Sequence, residues 1–261
     1  MGAMSEILLS ACVMLLFVLL AMGGATFHKV RRVHLQTFDL LARGEAVERE
    51  VNSLFQQFHA LMALERRLQL PGPLPPMRGW AGSPDFLLAL ADELLSQRPR
   101  NLLECSSGVS TLVAARCMQL NDYGHVFSLE HDAEYAAKTR ALLLHHGLED
   151  WATVIDAPLR IHETETPWYS LESVPANMPP IDVLVVDGPP YSVARLARYP
   201  ALPRLLSRLA PGCSVFLDDA DRDAEREIVD RWMRETPHMQ LTRLPCEKGL
   251  AVLRRSAART G

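Results

Sequence analysis

Residues Asn101 to Arg116 read NLLECSSGVSTLVAAR. A short apolar run, Leu102 and Leu103, ends in an acid, Glu104. Small residues follow (Ser106, Ser107, Gly108), then Ser110 and Thr111, then an apolar pattern of helical period. This is a strand, a tight turn and a helix. The turn carries little side-chain bulk, so a ligand can approach its backbone, and the helix behind it offers free N–H groups. A carboxylate at the strand end has to find a donor or a cation.

Downstream, strand-like runs recur at His125 to Glu130 (HVFSLE), Trp151 to Ile155, Ile181 to Val186 (IDVLVV), Cys213 to Leu217 (CSVFL), Met239 to Arg243 and Gly249 to Leu253. Helical patterns separate the early ones: Ser110 to Leu120, Ala133 to His146, Val193 to Leu209 and Ala224 to Thr236. Strands alternating with helices predict an α/β, doubly wound, mostly parallel sheet. The last two strands lie too close in sequence for a crossover, which predicts an antiparallel hairpin. Ahead of the first strand, RGWAGSPDFLLALADELL starts a helix at Ser83-Pro84-Asp85, with a cap, a first-turn proline and an early acid. That helix is expected to cover the ligand pocket. Trp80 and Ser83 are candidates for touching the ligand, besides packing and capping.

S-adenosylmethionine matches the first stretch. Its amino group suits the acid, and its carboxylate suits the turn's N–H groups. Here the sequence resembles the first motif of class I S-adenosylmethionine-dependent methyltransferases, acid-x-Gly-x-Gly, in a bacterial variant, Glu-x-small-Ser-Gly-x-Ser-Thr. Ser106 stands where that family usually has its first Gly. The resemblance runs from about Trp80 to Leu253 and rests on ordered motifs rather than on any single one. It implies a seven-stranded Rossmann-like sheet ending in a hairpin.

The cofactor residues follow on that basis. Glu104, Ser106, Ser107, Gly108 and Ser110 belong to the first motif. Glu130, at the tip of the adjacent strand, is placed to accept both ribose hydroxyls, as acids do in dinucleotide sites. His131 sits where it can stack near the adenine. Asp156 and Ala157 match the family position that meets the adenine amino group. VVDGPPY puts Asp187 at the fourth strand's tip, before a sharp Gly188 turn fixed by Pro189 and Pro190. This resembles the fourth motif, whose acid faces methyl donor and acceptor. The stretch from Leu159 to Pro180 has no clear period but holds Trp168, Tyr169 and four prolines. It reads as an ordered, acceptor-binding loop.

Two chemical schemes suit methyl transfer. In one, Asp187 is the general base or orients the acceptor. In the other, Asp187, Asp218 and Asp219 hold a divalent cation, Mg2+ or Ca2+, which acidifies an acceptor hydroxyl. The second resembles catechol and caffeoyl-CoA O-methyltransferases, except that Asp219 stands where that family has Asn. Capping of the helix near Ala224 also accounts for Asp218 and Asp219. His162 is the histidine best placed for acid–base work. Arg195, Arg198 and Arg204 suit either an anionic substrate or a solvated helix face.

Before the domain, Ile7 to Phe27 carries no charge, and at about 1.5 Å per residue it reaches across a bilayer's hydrocarbon core. Lys29, Arg31 and Arg32 follow it, which predicts a retained anchor with the bulk of the chain on the cytoplasmic side. Residues 29–70 form a proline-free amphipathic stalk with a heptad column at Val33, Leu40, Val47, Leu54, Leu61 and Leu68. It is expected either to pair in a homodimer or to pack on its own domain, with a break near Gly44. PGPLPP opens a linker over 71–79; the catalytic domain is expected over 80–254 and a disordered tail over 255–261.

A net charge of −4 offers no argument for nucleic acid. The five cysteines include no closely spaced pair, so no zinc site or disulfide framework is suggested, and Cys105 reads as a small buried strand residue. The expected function is membrane-anchored O-methyl transfer to a small-molecule, lipid-linked or glycan acceptor. The alternatives are an inactive cofactor-binding scaffold and an NAD-dependent enzyme. Against the latter stand Glu104 before the turn and the absence of Gly-x-Gly-x-x-Gly.

Overall fold

The computed structural model describes residues 2–75, 77, 82–161 and 166–255. The chain divides into two units, Met1–Phe55 and Gln56–Gly261. The described residues of the first all belong to α1 (Gly2–Leu68). Its stretch Leu9–Glu45 is long and apolar enough to cross a membrane, and its most apolar part is not buried by protein. Gly44 lies inside the helix, so the expected break there does not occur.

In the second unit, residues 57–68 of α1 pack on the domain. Leu64 and Leu68 are fully buried in its core, beside α2 (Pro84–Gln97). The last member of the heptad column therefore serves the domain's own core, while Val33, Leu40, Val47 and Leu54 are exposed. Gln69 turns left-handed at φ 45°, ending the helix just before Pro71. Arg116 donates to the freed carbonyls of Leu68 (2.7 Å) and Gln69 (3.0 Å). Asp85, in the first turn of α2, accepts from Gln57 Nε2 and from Glu247 N, both at 2.7 Å. One carboxylate so joins three segments that are remote in sequence.

The sheet contains β1 (Asn101–Cys105), β2 (His125–Glu130), β3 (Ala152–Asp156), β6 (Ile181–Val186), β7 (Leu209–Leu217), β8 (Met239–Leu244) and β9 (Leu250–Arg255). A separate pair, β4 (Leu159–Ile161) and β5 (Pro167–Tyr169), is antiparallel. The seven-stranded order is β3-β2-β1-β6-β7-β9-β8. The first five strands in that order are mutually parallel, and β9 runs antiparallel to both β7 and β8. The mostly parallel sheet and terminal hairpin are those the sequence predicts. Side-chain alternation divides the core: Val183 and Val185 of β6 face one layer, Leu184 and Val186 the other. The first layer holds α2 and α3 (Val109–Asn121); the second holds α6 (Asp223–Glu235) through Ile228, Val229 and Trp232. The helix α4 (Ala133–His145) follows β2.

Two segments differ from expectation. The helix expected over Val193 to Leu209 shrinks to α5 (Ala201–Leu205) and one 3-10 turn, Leu206–Arg208; residues 191–199 are mostly turns. Pro200 explains this, since it lacks an N–H and drives the residue before it out of the helical region. The last strand runs through Arg255, two residues beyond its expected end, and Arg254 pairs with Glu93 (2.5 Å). Of the tail expected over 255–261, Arg255 is instead the last residue of β9, and 256–261 lie outside the described residues.

Candidate active site

The strand order reverses direction between β1 and β6, and a crevice at the C-terminal tips of such strands is the natural ligand site of an open α/β sheet. A cavity of about 530 Å³ lies there, within the size range of small-molecule clefts. Its floor is the turn from β1 into α3. Ser106, at φ 124°, holds a backbone conformation that normally favours glycine. Ser106 N donates to Leu129 O (3.0 Å), and Gly108 N donates to Thr111 Oγ1 (3.0 Å). Ser106, Ser107, Gly108 and Ser110 all line the cavity.

Glu104 sits directly beneath this turn, 1% exposed, and is not itself part of the cavity wall. Its Oε2 accepts from Thr111 Oγ1 (2.6 Å) and lies 3.2 Å from Ser128 Oγ, while Oε1 has no protein partner. Burial pushes its pKa up to about 7, opposed by the nearby hydroxyls of Ser110, Thr111 and Ser128. Glu130 does line the cavity. It accepts from Ser107 Oγ (2.9 Å) and from the backbone N–H groups of His131 (2.8 Å) and Asp132 (3.0 Å). Burial raises its pKa, but His131 and those backbone and hydroxyl donors outweigh burial and hold it below the usual value. The His131 ring meets the Tyr169 ring edge-on at 6.0 Å, and both line the cavity.

At the other end stand the acids of β6 and β7. Asp187, Asp218 and Asp219 each offer an oxygen within 4.8 Å of the others, so the expected trio does assemble. Asp187 and Asp219 line the cavity, whereas Asp218 lies behind it. A cation already sits among them: Arg198, with its side chain 6% exposed. Its Nη2 donates to Asp187 O (2.8 Å), Asp187 Oδ1 (3.1 Å) and Asp219 Oδ2 (2.9 Å), and its Nη1 to Asp218 O (2.9 Å). Burial pushes Asp187 well above the usual carboxylate range, opposed by Arg198, and burial together with Asp219 takes Asp218 to about 6. Burial also works against the Arg198 charge, but Asp187 and Asp219 outweigh it and raise its pKa. Divalent ions want oxygens at roughly 2.0–2.6 Å. Arg198 Nη2 already bridges Asp187 Oδ1 and Asp219 Oδ2, so an ion would compete with the guanidinium for those two oxygens, whereas Asp218 Oδ1 and Asp219 Oδ1 have no protein partner.

Other expectations are redirected. Asp156 and Ala157 do not line the cavity: Asp156 is drawn to Arg140 at the surface (2.9 Å), and Ala157 is buried. Among the described residues of the α2 region only Gly82 reaches the cavity, because the helix buries its apolar face on the sheet instead. Trp80 and His162 lie outside the described residues. Of the three arginines, Arg195 pairs with Glu227 at the surface (2.6 Å), Arg204 lies over the Trp168 ring (5.8 Å), and Arg198 alone enters the site. Sequence reasoning did not single out Tyr135, Lys138, Arg222 or Lys248, which also line the cavity. Nothing in their local pattern separates them from ordinary surface residues.

Residues 104–220 match the family model of a methyltransferase domain. No curated protein matches the chain. Among solved structures, an SAH-bound methyltransferase from Podospora anserina superposes with a TM-score of 0.55 at 16% identity, over 76% of this chain and 88% of that one. An O-methyltransferase from Bacillus cereus, in complex with SAH, gives 0.52 at 20% identity, over 78% and 91%. The O-methyltransferase TomG from Streptomyces achromogenes, in complex with SAM and involved in tomaymycin synthesis, gives 0.51 at 18% identity, over 77% and 89%. At such identities these structures speak for the fold. Residues 104–220 are thus similar to a methyltransferase domain, on the fold these methyltransferases share and with a cavity at its strand tips.

Proposed function

We propose that the protein is an S-adenosylmethionine-dependent O-methyltransferase, held at a membrane by α1, with a small-molecule, lipid-linked or glycan acceptor. The observation that carries this reading is the partner-free Oε1 of Glu104, a buried carboxylate oxygen beneath a serine- and glycine-lined turn at a helix N-terminus. Such an oxygen suits a ligand's ammonium group, and the turn's N–H groups suit its carboxylate. Glu130, at the neighbouring strand tip, suits ribose hydroxyls. The SAM- and SAH-bound relatives support the same cofactor.

When bound, S-adenosylmethionine supplies an electrophilic methyl group on a sulfonium. The chain's own part is to bind, orient and manage a proton. Asp187, at the cavity end of β6, orients the acceptor hydroxyl and takes its proton. Its side chain is 12% exposed, so it can reach an acceptor while bulk water is largely kept away. The metal scheme remains the rival account because the acid trio is present, and the position of Arg198 counts against it. For the first unit, the uncharged stretch of α1 supports a single membrane span, and the basic residues after it support a cytoplasmic domain. The exposed column Val33, Leu40, Val47 and Leu54 is the face on which two copies would pair.

The test is calorimetric titration of S-adenosylmethionine and of NAD into the detergent-solubilised full chain and its Glu130→Ala variant. Methyl-donor binding that the variant weakens supports the reading. Binding of NAD alone overturns it in favour of a nicotinamide enzyme, and binding of neither leaves a scaffold that has only the fold.

A further inference from the structure

Arg198 is unlike the other described arginines of the domain. Its guanidinium is buried and reaches three carboxylate-bearing elements at once: the tip of β6 (Asp187), the end of β7 (Asp218, Asp219) and the start of α6, where Glu225 Oε1 lies 3.9 Å from Nε. Two of its acceptors are main-chain carbonyls, Asp187 O and Asp218 O, so it joins the ends of two adjacent parallel strands. The segment that carries it is itself held, since Trp232 Nε1 donates to Tyr199 O (2.9 Å) and Tyr199 Oη donates to Glu235 Oε1 (2.7 Å). Four acids converge here on one internal cation, with Arg222 adding a second contact on Asp219 Oδ2 (2.8 Å). Buried carboxylates at this density demand a positive charge, and removing it strands them.

We propose that Arg198 is the built-in cation of this site, occupying the place a divalent ion would take among Asp187, Asp218 and Asp219 and fixing the Asp187 carboxylate towards the acceptor. Methyl transfer by this protein is then metal-independent, and Arg198 is a positioning residue that acts through Asp187. The inference rests on the methyltransferase reading for its role in transfer, but the arginine-for-metal exchange stands on the contacts alone. A planar fork suits this role, since it satisfies two carboxylates and two carbonyls together, which a flexible ammonium does less well. Asp218 Oδ1 and Asp219 Oδ1 are left without partners, so the decisive measurement is whether a metal binds them while the guanidinium stays in place.

The experiment uses the detergent-solubilised full chain, stripped with EDTA. Manganese binding is read by electron paramagnetic resonance, and S-adenosylmethionine binding by calorimetry. In the wild type we expect no manganese binding below millimolar concentration and a methyl-donor affinity that EDTA does not change. Arg198→Ala should bind manganese at least about tenfold tighter than wild type. In Arg198→Ala/Asp187→Asn that gain should disappear. Arg198→Lys, which keeps a charge and is the safer variant to fold, should stay as metal-blind as wild type. Micromolar manganese binding by the wild type, lost in Asp187→Asn, overturns the inference and leaves the methyltransferase reading intact. Failure of the wild type to bind S-adenosylmethionine, with manganese still excluded, overturns that reading and leaves Arg198 as the resident cation.

Discussion

The two ends of the cavity handle buried acids in opposite ways. Under the β1 turn, Glu104 is met by the hydroxyls of Thr111 and Ser128, and Glu130 by Ser107, two backbone N–H groups and the neighbouring His131. At the β6 and β7 tips, Asp187 and Asp219 are met by a guanidinium. Hydroxyls and amides leave a carboxylate's charge uncompensated, so it remains available to a cationic ligand. A guanidinium cancels the charge and fixes the geometry, leaving an acid that positions rather than binds. One half of the cavity is thus built to receive charge, the other to hold it still.

The contrast breaks most visibly at Arg198. Arg198→Ala leaves buried acids unpaired and should cost about 3–5 kcal/mol in urea unfolding. Manganese should raise the variant's melting temperature and leave the wild type's unchanged. Glu104→Gln keeps the shape but removes the charge offered to the methyl donor, which should weaken binding by about 1.5–3 kcal/mol in calorimetry. An unchanged affinity there would mean that the two halves do not differ in the way described. The seam between them is Gly188, where a Cβ would collide with Tyr169 Oη and press on Cys105 O at 3.1 Å. Gly188→Ala should therefore destabilise by about 1–3 kcal/mol, read as a lower urea midpoint.

A pH titration sharpens the comparison further. Burial gives Glu104 a folded pKa of about 7, above its ordinary value of 4.5, so the folded state binds the extra proton between those values. Its contribution to stability is present at low pH and is lost as pH rises through that window. Methyl-donor affinity should move the other way, rising from about pH 6 to about pH 8 as the carboxylate ionises, and Glu104→Gln should flatten that rise. The smallest effect is at Ser106, where the positive φ stores strain. Ser106→Gly should stabilise the fold by about 1 kcal/mol in thermal melts and leave methyl-donor binding in place.

Strands were legible where burial on both faces leaves an uninterrupted apolar run: IDVLVV is β6 to the residue. The strand-tip acids were legible too, because a charge closing such a run needs a partner. What could not be read was which partner each acid finds. Asp156 and Glu130 close neighbouring strands in register, yet Arg140 takes the first outward and the second stays in the cavity. Arg198 sits in a segment with the composition of a surface helix, and only the turns imposed ahead of Pro200 carry it inward. The end of α1 shows the same limit: Leu68 completes a heptad column on paper, but the domain's own core claims it first.

The placement of β6 between β1 and β7 has a consequence for the chain as it is made. β1 emerges early, but its partner on that side begins only at Ile181, and the acids that complete the cavity follow at Asp218 and Asp219. β7 in turn is capped only by β9, near the end of the described chain. Domains fold as units once their long-range partners exist, and a strand awaiting its neighbour is a sticky edge. The apolar segment at the N-terminus is therefore synthesised long before any site exists behind it. A nascent chain stopped short of Leu250 would present Val215, Phe216 and Leu217 along an open edge, a target for quality control rather than a smaller enzyme.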